Sequence, residues 1–334
     1  MNANILPIQK PMIRGHLYNA FPLSVASFHP SFYNWIYTNF TNLKVFEHDF
    51  SLDIVFDTGN IIDHPETYPL LNVEKIKNTD LVLSDLLQTF KHYIDTGKYI
   101  YLFMDEFYIN NRSSYQKRHF IHETFIYGYD DLKEEFEVCG FNDKMIYCTH
   151  LVPYASIYEG LVNNQYTDGW AGFTYILELD IGQIFDLNLD KIYHSFEHNV
   201  NLSQDQYSTF GLEHNVAAYG NSIYSFLEDV YLHKKHKMEH SSVVRNMYVI
   251  QEYHLLKQSC IEFLQNHGYI HHLPEELLTS YACNVKNSKT ALNIILKNYI
   301  TNKPDNTKII LGLLKSISEK ESYCSNYILQ QLHG

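Results

Sequence analysis

Apolar and polar positions along this chain follow two rhythms, and the rhythm changes near residue 180. Residues 78–96, NTDLVLSDLLQTFKHYIDT, place Leu83, Leu86, Leu87, Phe90 and Ile94 at helical spacing, the stripe of a helix with one buried face. Asp80 stands where a cap is expected, and Gly97 where the helix should end. The stretch 31–43, SFYNWIYTNFTNL, has spacing compatible with a shorter helix. Lys98–Met104, KYIYLFM, is apolar almost without a break, as a strand buried on both faces must be. Further strands are predicted over Thr124–Tyr129, Glu135–Phe141, Lys144–Leu151 and Gly172–Leu179. Gly128-Tyr129-Asp130-Asp131 supplies the turn signal between the first two, which are expected to pair as a hairpin.

Beyond residue 180 the pattern turns helical. Stretches 188–199, 212–238, 241–266, 273–283, 288–300 and 306–332 carry apolar residues at i, i+3 and i+4, with Gly268, Pro274 and Pro304 as breaks. The expected fold is α+β. Residues 1–180 form a domain of N-terminal helices packed on an antiparallel sheet, and residues 181–334 an α-helical domain. The apolar helical stripes of the second half suit core packing or a homodimer contact better than a cofactor box.

Composition narrows the function classes. Hydrophobic residues are 45% and charged residues 19% of the 334, which fits a globular chain with a real core and excludes a disordered or collagen-like one. Net charge is 25 − 38 = −13, and such a surface repels nucleic-acid backbones and anionic lipid. No nucleic-acid partner is expected, and no apolar run approaches the ~20 residues of a membrane span. Five scattered cysteines, Cys139, Cys148, Cys260, Cys283 and Cys324, form no CxxC pair. With no signal-peptide pattern at the start, they point to a reducing cytoplasm. His233, His236 and His240 share a helix face but lie among Lys234, Lys235 and Lys237, so a solvated basic face is expected rather than a metal site. No cofactor is implied.

One segment stands out, residues 99–130, YIYLFMDEFYINNRSSYQKRHFIHETFIYGYD. A buried strand ends in Asp105. A polar loop with Tyr108, Tyr115, Lys117 and His119 follows, and His122 opens the next strand six residues before Gly128-Tyr129-Asp130. A rigid strand fixes an imidazole while the strand's end stays open to a cleft. Asp105-Phe107-Tyr108, Arg118-His119-Phe120-Ile121-His122 and Gly128-Tyr129-Asp130 resemble the N-terminal domain of butirosin biosynthesis protein H and its relatives in peptide and polyketide clusters. The stretch through Phe141 carries most of the likeness. That resemblance implies a papain-like fold and an acyltransferase that passes an acyl group from a carrier-protein thioester, through a cysteine, to an amine. His122 takes the place of the family's histidine, with a third polar group to orient it.

Two positions depart from the pattern. The segment matching the family's nucleophile is Arg14-Gly15-His16-Leu17-Tyr18-Asn19-Ala20-Phe21, and no cysteine precedes Cys139. Leu17 stands at or beside the nucleophile position, and Ser24 is a nearby hydroxyl. The third member falls near Gly140, with Asn142 the closest suitable side chain. The expected catalytic set is His122, Asp105 and Asn142. His16, Leu17, Tyr18, Ser24, Tyr108, Tyr115, Lys117 and His119 are the expected substrate contacts. Asp105 serves either to orient an amine or His119, or to cap the turn after it. Two functions stay open: acyl transfer to a small-molecule amine with His122 as general base, or a non-catalytic module that binds a carrier protein, peptide or partner enzyme. For either, Arg112, Lys117 and Arg118 form the basic patch that would meet an acyl or peptidyl carrier protein. A peptidase fits less well, since it needs the same missing nucleophile.

Overall fold

A computed structural model describes residues 3–47, 52–59, 61–81, 83–201, 216–233, 240–301 and 306–332. Its elements open with β1 (Ala3–Ile5), α1 (Leu17–Ala26), α2 (Phe32–Asn39), β2 (Leu43–Glu47), β3 (Leu52–Phe56), β4 (Leu71–Lys77), α3 (Leu86–Asp95) and β5 (Tyr99–Asp105). Next come β6 (Ile121–Asp130), β7 (Glu135–Phe141), β8 (Tyr147–Pro153), α4 (Tyr154–Val162), β9 (Phe173–Leu179) and α5 (Leu189–Asn201). The chain closes with β10 (Val216–Tyr219), α6 (Ser222–His233), α7 (His240–Asn266), α8 (Glu275–Thr301) and α9 (Thr307–Leu332). The class is mixed α+β with an antiparallel sheet.

Two compact units divide the chain, and both are discontinuous in sequence. One comprises Met1–Pro11, Leu17–Phe32 and Gly59–Ile184; the other comprises Met12–His16, Tyr33–Thr58 and Phe185–Gly334.

In the first unit six strands run in the order β4-β9-β5-β6-β7-β8, and β1 adds to β6. Every pairing is antiparallel. β5 is buried along its whole length, which explains its unbroken apolar sequence. One face of the sheet carries Ile100, Leu102, Met104, Ile126, Val138 and Ile176, and against them pack Leu86, Phe90 and Ile94 of α3 with Ile157 and Leu161 of α4. The opposite face receives α1, whose Phe21 meets Tyr101 edge-on at 5.2 Å and stacks on Phe125 at 5.1 Å. Tyrosine is used as core material here: Tyr68, Tyr101 and Tyr175 are all fully buried.

The helix expected over 78–96 begins only at Leu86. Asp80 lies in a 3-10 turn and caps nothing, because β4 runs on through Lys77 and Thr174 of β9 holds the Asn78 side chain at 2.8 Å. Sheet pairing claims the residues that local spacing assigned to a first helical turn.

The second unit holds α5–α9 and a small sheet, β10-β2-β3. Of the stretch expected to be helical over 212–238, residues 216–219 are a strand paired with β2 and only Ser222–His233 is helix; residues 212–215 and 234–238 lie outside those described. The two helices expected over 273–283 and 288–300 are one, α8. Leu43, expected at a helix end, starts β2.

A buried ionic network ties this unit together. Lys257 of α7 donates to Glu321 of α9 and to the Tyr253 hydroxyl, both at 2.8 Å, and to Ser325 at 3.2 Å. Tyr224 of α6 donates to Glu321 at 3.1 Å, and Asn199 of α5 to the Tyr253 hydroxyl at 3.1 Å. Burial opposes the charge on Glu321, yet Lys257, His254 and the Tyr253 hydroxyl hold its pKa down to about 2. Removing one partner leaves the other charge buried and unpaired. Lys257→Met should therefore cost about 3–5 kcal/mol in denaturant unfolding. Adding Glu321→Gln should recover part of that loss; simple additivity of the two would contradict the network.

Candidate functional site

The site lies in the first unit, where β5 leaves the sheet and β6 enters it. Asp105, the last residue of β5, pins both ends of the loop between them. Its Oδ1 accepts from the backbone N–H of Phe107 and of Phe120, each at 3.0 Å, and its Oδ2 meets His119 Nδ1 at 2.5 Å. Burial works against its charge, but these partners hold its pKa below the usual carboxylate value. His119 is largely exposed and stacks on Phe107 with ring centres 4.5 Å apart. Asn111 and Gln116 adopt left-handed backbone angles, φ 62° and 50°, a local cost that tertiary contacts must offset.

His122 pairs in register with Met104. Its imidazole is therefore on the sheet face covered by α3 and α4, not the face covered by α1. Nδ1 lies 3.0 Å from Glu106 Oε1, and Nε2 is 3.6 Å from Glu123 Oε2. Phe120 stacks on the ring at 5.1 Å, and the Arg118 guanidinium sits over Phe120 at 4.9 Å. About a third of the imidazole's surface, 32%, is open. Burial disfavours the imidazolium, but the bond to Glu106 and the charges of Glu106 and Glu123 prevail, so the pKa of His122 is raised. Glu106 has only 4% of its surface exposed. Burial pushes its carboxyl up, while His122 and then Arg112 more than reverse this, so its pKa is lowered.

An imidazole whose Nδ1–H donates to a buried carboxylate presents a basic Nε2 outward. Such an arrangement can serve as a general base oriented by a third group, and it is Glu106, not Asn142, that contacts the ring. Asn142 caps the β7–β8 turn, its Oδ1 accepting from the N–H of Lys144 and of Ile146. An acidic doublet, Asp105-Glu106, at the end of a buried strand was the available signal for Glu106, and spacing alone did not single it out.

The other expected residues scatter. His16 belongs to the second unit, where burial and Arg245 push its pKa down to about 4 and its Nε2 bonds the Ile54 carbonyl at 2.9 Å. Leu17 begins α1 and is buried. Tyr18, also in α1, is half-buried near Tyr68. Ser24 is fully buried and donates to the Phe21 carbonyl at 2.6 Å. None of this α1 segment faces His122. Tyr108 packs on Phe107 and lies 6.3 Å from His119, and Tyr115 is half-buried and accepts from Gln116. Lys117 is exposed. Arg112, expected in an exposed basic patch, is buried, leaving Lys117 and Arg118 as the solvent-facing cations of that loop. Cys139 is on the face opposite His122, close to the Tyr147 hydroxyl, and burial pushes its thiol up to about 12.

His236 lies outside the described residues, as does the side chain of His240, while His233 is exposed beside Asp229. Among the described residues no group of three or more His, Cys, Asp and Glu side chains is placed to hold a metal, and no helix is long and apolar enough to cross a membrane. No protein-family model matches the sequence, and no curated protein matches it either.

The pair makes a measurable prediction. By NMR, His122 should titrate above its usual value of about 6.5, and Glu106→Gln should lower its midpoint. His122's folded-state value exceeds its unfolded one, so its stabilisation is present below about pH 6.5 and is lost as pH rises through the folded value, while Glu106, whose pKa is lowered, gives up its share as pH falls through its own folded value. A midpoint at or below 6.5 that ignores Glu106→Gln would contradict the pairing.

Proposed function

We propose that the first unit is an acyl-transfer domain related to butirosin biosynthesis protein H, working as a general base on an amine and not through an acyl-enzyme. The observation that carries this reading is the Glu106–His122 pair, with about a third of the imidazole, 32%, exposed. The donor is an acyl or peptidyl thioester on a carrier protein, and the acceptor a small-molecule amine. Attack by the amine nitrogen on the thioester carbonyl forms the C–N bond as His122 Nε2 takes the amine's proton. The C–S bond then breaks, and the departing thiolate takes that proton back from the imidazolium. Glu106 stabilises the imidazolium between the two transfers. Glu123 Oε2, 3.6 Å from Nε2, adds a second negative charge beside the imidazolium. The five cysteines are free, which suits a reducing cytoplasm.

A second reading, a binding module for a carrier protein, peptide or partner enzyme, draws support from the inert residues that α1 presents, Leu17 among them. Activity separates the two. With hexanoyl-N-acetylcysteamine and a panel of primary amines, the protein should form amides faster than buffer. His122→Gln should lower that rate by roughly 10²–10⁴-fold. Unchanged amide formation in His122→Gln would overturn the base role, and binding of acyl carrier without turnover would favour the module.

A further inference from the structure

Guanidinium groups are rarely interior, yet Arg112 has only 2% of its surface exposed. The β6–β7 ladder stops at Phe125 and Cys139. Past that point, on the side that β6 has left, Arg112 and not a strand meets β7: one terminal nitrogen donates to the Phe141 carbonyl at 2.5 Å and the other leans on the Cys139 carbonyl at 3.4 Å. Its Nε faces Glu106 Oε1 at 3.8 Å. Gly140 supplies the seat. A Cβ there would stand 2.4–2.9 Å from three atoms of the guanidinium, and the φ of 152° is one that side chains rarely adopt.

We infer that Arg112 is a positioning residue for the Glu106–His122 pair: seated on Gly140 and tied to two strand carbonyls, its guanidinium fixes where the Glu106 carboxylate stands. The inference rests on the base role given to His122 above. A carboxylate held this way cannot swing with the imidazole, so Nε2 keeps one direction.

The charges around the imidazole set what loss of Arg112 does. Glu106 from the short turn after β5 and Glu123 on β6 favour the imidazolium, whereas Arg112 from the loop opposes it. His150 on β8 faces Arg112 and Glu106; burial and then Arg112 push its pKa down to about 4, so at neutral pH it adds no charge. Arg118, whose guanidinium sits over Phe120 at 4.9 Å, stays in place when Arg112 is replaced, so removing the Arg112 guanidinium takes away its opposing charge alone. His122 should become harder to deprotonate, and the rise of the rate with pH should move upward.

The test uses the full chain and four variants: Arg112→Gln, Arg112→Lys, Gly140→Ala and His122→Gln. His122 is titrated by NMR, and aminolysis of hexanoyl-N-acetylcysteamine is followed against pH. Arg112→Gln should move both midpoints to higher pH, because the guanidinium opposes the imidazolium charge. Arg112→Lys should return them toward the parent value, since it restores the charge. Gly140→Ala keeps the charge but unseats it, and should shift them in the same direction as Arg112→Gln. It also carries the test if Arg112→Gln does not fold. A merely structural Arg112 would lower melting temperatures and leave the folded protein's midpoints unmoved, which would overturn the inference. Shifted NMR midpoints with full activity in His122→Gln would instead overturn the base role and leave the positioning role standing.

Discussion

Glu106 leaves the central strand of the sheet with almost none of its surface in water, and an ionised carboxylate in such a place needs partners that come to it. Two do. His122 arrives from the next strand, and Arg112 from the loop between them. Neither approach is possible unless the loop folds back over the end of the sheet. Asp105 enforces this by binding the N–H of Phe107 at the loop's start and of Phe120 at its end. The early end of the β6–β7 ladder, the bare Cα of Gly140 and the left-handed Asn111 follow from the same need to bring a guanidinium into the interior.

Much of this frame was legible in the sequence. The unbroken apolar run of β5 and the Gly-Tyr turn side of β6 announced a buried strand and its neighbour, and His122 stood out by its place beside them. What failed was orientation. Alternation says that His122 and Glu123 face opposite ways, but which face meets α1 depends on tertiary packing. The sheet puts His122 with Met104, away from α1, so the α1 residues chosen as its partners, Leu17 and Ser24, pack on the far side. Glu106 escaped for a related reason. It follows the strand in a 3-10 turn, where period-two spacing no longer says where a side chain goes.

The second unit shows the same limit. β2 and β3 pair with each other locally, but their third strand, β10, lies far along the chain, and no short-range pattern announces it. Residues 284–287 fall between the two helices expected over 273–283 and 288–300. Within α8, the Asn284 amide donates to the Ile317 carbonyl and the Asn287 amide to Ser316 of α9, so the neighbouring helix takes up both amide donors and the helix continues. Buried polar groups paired across elements are what the sequence conceals, in Lys257–Glu321 as in Arg112–Glu106.

In the proposed reaction a base held by a buried carboxylate acts on the acceptor amine with no acyl group on the protein. Intact-mass analysis of rapidly quenched reactions tests this, with hexanoyl-N-acetylcysteamine and amine present and amide accumulating. The protein should keep its unmodified mass at every time point while amide forms. A hexanoyl adduct that forms and decays at the rate of turnover would contradict it, and peptide mapping would then identify the nucleophile.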